Sequence, residues 1–317
     1  MVVSGRGVPA ACRIRSRKAV YVNISQLRTF LAVVDCGSFS EAAKALGISQ
    51  PAVTMQIQSL EADLGVTLID RSYRRVDLTE AGAVLEPYAR RSTAEVQAAR
   101  DELAALSGEV TGALAIAASS TPGSYVVPRV LGSFAAAYPA VDVVLTSHDT
   151  AGVVDAVESG RAHVGVCGAI VKGAKVVFEP LITDEVVAIC PPGSPLATGR
   201  VGLARLAEED WVIRERGSGT RQVAEAELVA AGIDPGRLRV AAQLGTGEGV
   251  LCAIEGGLGV AMLSLLVAEK ALALGTVSRV DLGDTRILRP LFTVLPKGTP
   301  TRAAMAFQSH LHVELEG

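Results

Sequence analysis

Hydroxyls and glycines crowd three short loops of the chain: Ser119-Ser120-Thr121-Pro122-Gly123, His148-Asp149-Thr150 and Gly217-Ser218-Gly219-Thr220. Such loops suit a small anion, because hydroxyls and the free N–H groups at a helix start donate hydrogen bonds without bringing a counter-charge. Arg221 follows the third loop, and Gly245-Thr246-Gly247-Glu248 has the same character. The expected anion contacts are therefore Ser119, Ser120, Thr121, Thr150, Gly217, Ser218, Gly219, Thr220 and Thr246. Residues of these types also cap helices with no ligand involved. Here they recur at successive strand ends, where an open α/β sheet presents its crevice.

A different chemistry is carried by SFSEAAKALGISQPAVTMQIQSLEADLG, from Ser38 to Gly65. Before it, Leu27, Phe30, Leu31 and Val34 recur at helical spacing and Gly37 ends that helix. Ser38 and Ser40 offer N-cap oxygens to a short helix that stops at Gly47, and Ser49 with Pro51 opens a third. Val53, Ile57, Leu60 and Leu64 form the buried stripe of that third helix, leaving a polar and almost uncharged face. Two helices joined by a tight turn, the second with small polar groups at its start, suit the major groove of DNA. Gln50 can pair with adenine, while Ala52 and Thr54 can approach a thymine methyl or a phosphate. Ser38, Ser40, Ser49, Pro51, Met55 and Gln58 complete the expected contact surface.

Beyond Gly65, Thr67 to Asp70 and Arg75 to Thr79 read as two short strands around Arg71-Ser72-Tyr73-Arg74-Arg75. That hairpin would be a wing, with Arg71, Arg74 and Arg75 on phosphates or in a minor groove.

With QLRTFLAVVDCGSFSEAAKALGISQPAVTMQIQSLEADLGVTLIDR and LTEAG in place, residues 23 to about 90 resemble the winged helix-turn-helix of LysR-type transcriptional regulators. Met55 departs from the polar or basic residue that relatives often carry there. The length and order of the remaining chain extend the resemblance to nearly everything after the N-terminal tail.

A helix from Thr79 to about Leu106 carries Leu85, Ala89, Val96, Ala99, Leu103 and Leu106 near a seven-residue repeat. The resemblance implies that it makes a homodimer, and dimers pair in a homotetramer in the alternative arrangement. Strands and helices then alternate from Leu114 to the C-terminus, which predicts an α/β layer with a mainly parallel sheet. The resemblance divides this body into two α/β subdomains like those of periplasmic binding proteins of type 2, with an effector between them. Its first loop, with Ser119 and Thr121, and its second, Gly217 to Thr220, are most similar to those of the sulfur-metabolism regulators of the family. The expected domains are a disordered tail at 1–22, a DNA-binding domain at 23–80, a linker helix at 81–108 and an effector-binding domain at 112–317. Subdomain I would take about 112–183 and 286–317, and subdomain II about 184–285.

Charge agrees with that division. Residues 1–91 carry twelve Lys and Arg against eight Asp and Glu, whereas the rest carry eighteen against twenty-five, within a net −3 for all 317 residues. A basic front end on an acidic body fits nucleic-acid contact at one end. Arg6, Arg13, Arg15, Arg17 and Lys18 are not followed by the apolar stretch of a secretion signal, and no run has the length of a membrane span, so a cytoplasmic location is expected. The five cysteines and four histidines show no metal-ligand spacing; neither metal nor cofactor is expected. A redox role for Cys167, near the expected cleft, stays open.

The leading reading is an effector-responsive DNA-binding regulator, with double-stranded DNA, a small anion and RNA polymerase as partners. An enzyme holding a phosphorylated or carboxylate substrate at Gly217 to Thr220 is the alternative, but no nucleophile elbow or Walker motif accompanies that loop. A transport receptor would use the same body, yet has no need of the helix-turn-helix.

Overall fold

The computed structural model describes residues 22–70, 76–104 and 110–316. The expected tail lies outside these residues except for Val22, as do Arg71, Arg74 and Arg75. The chain divides into two compact units that part between Thr93 and Ala94.

The first unit begins with α1 (Ile24–Cys36), α2 (Phe39–Leu46) and α3 (Gln50–Leu64). A capping box starts α1: Asn23 accepts from the Gln26 backbone N–H, and the Gln26 side chain accepts from Asn23 N–H at 2.9 Å. Gly37, Gly47 and Gly65 end the three helices in the left-handed conformation that a β-carbon disfavours. Phe30, Val33, Val53, Ile57 and Leu60 are fully buried between them. The strands β1 (Ile69–Asp70) and β2 (Asp77–Leu78) pair antiparallel, which places the wing stem beside this core.

The helix α4 (Glu80–Ala104) starts on Thr79, whose Oγ1 accepts from Gly82 N–H. Its first turns belong to the unit before it. Ala89 is buried there, and Arg90 is fastened to Asp35 of α1 at 2.5 Å and to Glu86 at 2.8 Å. Further along, Ala99 and Leu103 are exposed. Within the repeat, Leu85 and Ala89 therefore pack with the helices before them, whereas Ala99 and Leu103 face outward.

The second unit comprises β3 (Gly112–Ser119), α5 (Val127–Ala137), β4 (Val141–His148), α6 (Thr150–Glu158), β5 (Val164–Cys167) and the long β6 (Val176–Cys190). It continues with α7 (Leu203–Leu206), β7 (Asp210–Arg214), α8 (Gly219–Ala230), β8 (Arg239–Leu244), α9 (Gly247–Glu255), β9 (Ala261–Ser264) and α10 (Leu265–Leu274). The last elements are β10 (Ser278–Arg279), β11 (Ile287–Pro296) and α11 (Arg302–Glu316). A π-helical turn, Pro122–Val126, precedes α5. Pro128, in the first turn of α5, has no N–H to continue the ladder backwards, and Val127 N–H instead reaches Pro122 O.

The sheet is mixed rather than mainly parallel. In the order β10-β6-β11-β5-β3-β4, the β4-β3-β5 group is parallel, whereas β11 pairs antiparallel with both β5 and β6. The reason is topological: β6 leaves lobe one, which holds β3, β4 and β5, for lobe two, which holds β7, β8 and β9, and β11 returns, so the two must run in opposite directions. Lobe one buries Leu114, Ile116, Phe134 and Phe307. Lobe two buries Trp211 and Leu206 in one cluster and Val250 and Ile254 in another. In lobe two β7 and β8 are parallel, and β9 and β10 pair with β6. No described helix is long and apolar enough to cross a membrane.

Candidate functional site

The exposed face of α3 is set by the α2–α3 turn. Gly47 lets the chain reverse after α2, and Ser49 then caps α3 by accepting from Ala52 N–H at 3.4 Å. Val53, Ile57 and Leu60 face the core, so the helix has one rotational setting. That setting leaves Ser49, Gln50, Pro51, Met55 and Gln58 exposed, with Ala52, Thr54 and Ser38 half-buried beside them. Met55 is 69% exposed, an apolar side chain open at the centre of this face.

Ser40 does not cap α2. Ser38 does, and the Ser40 hydroxyl donates to Gln50 Oε1 at 2.9 Å. With its oxygen held there, the Gln50 amide turns its N–H donors away from α2. Thr54 Oγ1 donates back to Gln50 O at 3.1 Å. Gln56 is a brace rather than a reader, since its Oε1 accepts from Thr29 Oγ1 at 2.5 Å and ties α3 to α1.

The second unit brings together eight of its nine expected residues. Ser119, Ser120 and Thr121 follow β3, Thr150 opens α6, and Gly217 to Thr220 open α8; all line one cleft with His148 and Asp149. Thr121, Thr150, Ser218 and Thr220 are buried. Ser218 caps α8 by accepting from Arg221 N–H, and Asp149 caps α6 by accepting from Gly152 N–H. Thr246 is not among the lining residues. It is exposed and caps α9, accepting from Gly249 N–H at 3.0 Å.

The lobes meet closely here. A β-carbon on Gly219 would stand 2.9 Å from Gly168 O, and one on Gly217, at φ +93°, 3.1 Å from Asp149 Oδ2. The free space within the cleft is about 20 Å³, enough for a water or a small ion.

Three charged residues on the walls were not anticipated. Arg214, the last residue of β7, is buried and forms a two-pronged pair with Glu215 at 2.7 and 2.8 Å. Arg289 of β11 is 2% exposed. It donates through Nε to Asp184 Oδ2 at 2.7 Å and through Nη1 to Thr220 Oγ1 at 2.8 Å. Ser264 donates to the other Asp184 oxygen at 2.8 Å. Nη2 of Arg289 lies 2.7 Å from the Asp184 oxygen that Nε already uses, without the geometry of a hydrogen bond, and is a buried donor with no partner among the described residues. Burial pushes the Arg289 guanidinium below its ordinary value; Asp184 opposes that shift and Arg214 adds to it. The sequence signal was a lone charge inside the apolar run Ile287–Pro296.

Cys167, at the end of β5, is fully buried, and its Sγ donates to Ala169 O at 3.2 Å. Burial pushes its thiol up to about 11, which removes the thiolate that a redox sensor needs. Cys167 packs in the core cluster that Val153, Val157 and Val294 also form.

A family model for the LysR substrate binding domain matches residues 107–315, and one for the bacterial regulatory helix-turn-helix protein of the lysR family matches residues 24–83. The chain belongs to the LysR family. It is 36% identical over 293 residues to a probable RuBisCO transcriptional regulator of Cyanidioschyzon merolae, covering 90% of this chain and 95% of the relative. It is 34% identical over 275 residues to the uncharacterized HTH-type transcriptional regulator YeiE of Escherichia coli K12, covering 87% and 92%. Among solved structures it is similar to full-length CbnR complexed with its target DNA, with a TM-score of 0.65, 26% identity and coverage of 92% and 99%. This LysR-type protein is a DNA-binding transcriptional regulator with an effector-binding domain, in a family of regulators rather than enzymes. None of these three relatives is named for sulfur metabolism.

Proposed function

We propose that this LysR-type regulator is switched by a small anion held between the two lobes of its effector unit. The observation that carries the reading is Arg289, a buried guanidinium with one donor unbonded, on the wall of a cleft whose other wall is the N-terminus of α8. A helix N-terminus favours negative charge by about 0.3–1 kcal/mol, rising to ~2 kcal/mol when partly buried. The Ser119, Ser120, Thr121, Thr150, Ser218 and Thr220 hydroxyls add neutral donors around the same space. Asp149 and Glu215 also line it, so the anion competes with Glu215 for the Arg214 fork. A cleft this narrow selects a small effector and must part to admit it.

On the DNA side, Gln50, Ala52, Thr54, Met55 and Gln58 enter the major groove from the start of α3. Ser38, Ser40, Ser49 and Pro51 lie against the backbone, and Arg71, Arg74 and Arg75 take phosphates from the wing. A homodimer or homotetramer in the cytoplasm presents paired heads to spaced half-sites. The effector shifts the placement of the heads, and with it DNA bend and the access of RNA polymerase.

Footprinting on the intergenic DNA beside this protein's own gene tests both halves, with sulfate, thiosulfate, O-acetylserine and a panel of small carboxylates added singly. Protection whose extent changes with one anion is the expected result. Protection indifferent to every anion would leave the DNA reader standing and overturn the anion switch.

A further inference from the structure

A second cavity lies within lobe two, between α8 and the β7–β8 ribbon, with a volume of about 270 Å³. Its apolar lining includes Trp211, Ala224, Leu228, Leu238, Val240 and Met262. Trp211, Leu228 and Met262 are at most 6% exposed and belong to the core of the lobe, so the floor is fixed. The Trp211 indole N–H is already used, donating to Leu206 O at 3.2 Å, and so adds no polar demand. An apolar floor of this size holds water poorly, and ordinary ligand pockets begin at roughly 300 Å³. The fit is to one ring or a short branched chain.

One end of the cavity is polar, and its hydrogen bonds are unevenly used. Arg221 donates through Nε to Glu225 at 2.6 Å and through Nη1 to Arg214 O and Gln243 Oε1 at 2.9 and 3.0 Å. Its Nη2 donates no bond among the described residues. Gln243 Oε1 is taken by Arg221, and the Gln243 amide nitrogen donates no bond among the described residues, so its N–H groups remain available as donors. Glu225 is the acceptor here; it is engaged by Arg221, and at 40% exposure its charge is screened by solvent. Two adjacent donors beside an apolar floor call for an acceptor head on an apolar body.

We propose that this cavity is a second small-molecule site that takes a monocarboxylate with a single-ring apolar body, the carboxylate on Arg221 and Gln243 and the ring over Trp211 and Leu228. It shares Arg214 with the cleft between the lobes but is otherwise lined by residues that the cleft does not use, and Val240 and Ala224, which its test alters, line this cavity alone. Trp211 is the only tryptophan of the chain, so intrinsic fluorescence reports occupancy of this cavity directly.

The full-length protein is titrated with cyclohexanecarboxylate, and in parallel with the neutral cyclohexylmethanol, while Trp211 emission is followed. Saturable change with a Kd below about 1 mM for the carboxylate, and binding about tenfold weaker for the alcohol, is the expected result. Arg221→Gln should erase the preference for the carboxylate. Ala224→Phe should fill the cavity and abolish the response, and Val240→Phe, at a half-exposed position that tolerates the change more readily, should do the same with circular dichroism reporting the fold. No saturable change with either probe up to about 10 mM overturns the site. An undiminished response in folded Val240→Phe also overturns it, and equal affinities for the two probes overturn the charged head.

Discussion

The helix-turn-helix head and the cleft of the second unit place their polar residues in opposite ways. Around the start of α3, every expected contact from Ser38 to Gln58 comes from one continuous stretch, and most of those side chains face solvent. Around the cleft, Asp184, Thr220, Ser264 and Arg289 come from four elements and hold one another out of water. An exposed side chain loses its own contact when it is removed. A buried one also abandons its partner in a medium that will not solvate it. The difference teaches that single substitutions should separate recognition from stability in the head and confound them in the cleft.

The strongest way to break that comparison is Arg289→Ala. It should lower the free energy of unfolding by about 3–5 kcal/mol, because Asp184 stays buried without its counter-charge. Urea denaturation measures this, and a loss no greater than that of an exposed substitution would erase the contrast.

The two kinds of thiol sharpen it next. Cys167 is buried beside the cleft and Cys36 is exposed on the head. Burial raises the Cys167 thiol to about 11. Its contribution to stability is therefore full below the ordinary value near 9 and is lost as pH rises towards 11. A drop of about 2–3 kcal/mol across that interval is expected. Cys167→Ala should make that decline shallower, with the raised Cys190 thiol and Tyr125 phenol keeping a remainder, as urea denaturation at a series of pH values measures.

Gln50→Ala probes the exposed region. Discrimination at one base position per half-site should relax by about 1–3 kcal/mol with the fold unaffected, as measured on single-base variants of the footprinted site. Unchanged base preference would take Gln50 out of the readout and leave its amide as the partner of Ser40. The smallest effect belongs to Ser49→Ala, which removes the α3 cap and should cost about 1 kcal/mol of stability. A larger loss would mean that the turn before α3 is held by more than its cap.

Legibility followed the same line between local and assembled structure. The helix-turn-helix could be placed because Gly47, Ser49 and Pro51 act on the backbone within a few residues, and the stripe Val53, Ile57, Leu60 and Leu64 fixes one face. The loops of the cleft could be picked out by type, since hydroxyls and glycines at strand ends recur in series. Thr246 has the same local pattern as Ser218 and caps α9 in the same manner, yet it does not reach the cleft; capping is local and convergence is not. The mixed sheet was missed because periodicity identifies a strand but not its direction, which the double crossing between lobes decides. Arg214 and Arg289 were missed because burial, not residue type, gives them their character.

The sequence by itself determined the family, the helix-turn-helix with its polar reading face, and the alternating body that carries an effector. These rest on backbone conformation and on apolar spacing within a turn or two of helix or a few residues of strand, where neighbours in the chain are neighbours in space. Only the tertiary structure decided that Arg289 joins Asp184 to Thr220, that Gly219 closes on Gly168, and that Trp211 floors a cavity. Those contacts join residues that are distant in the chain, and their energies depend on how completely the fold excludes water from them.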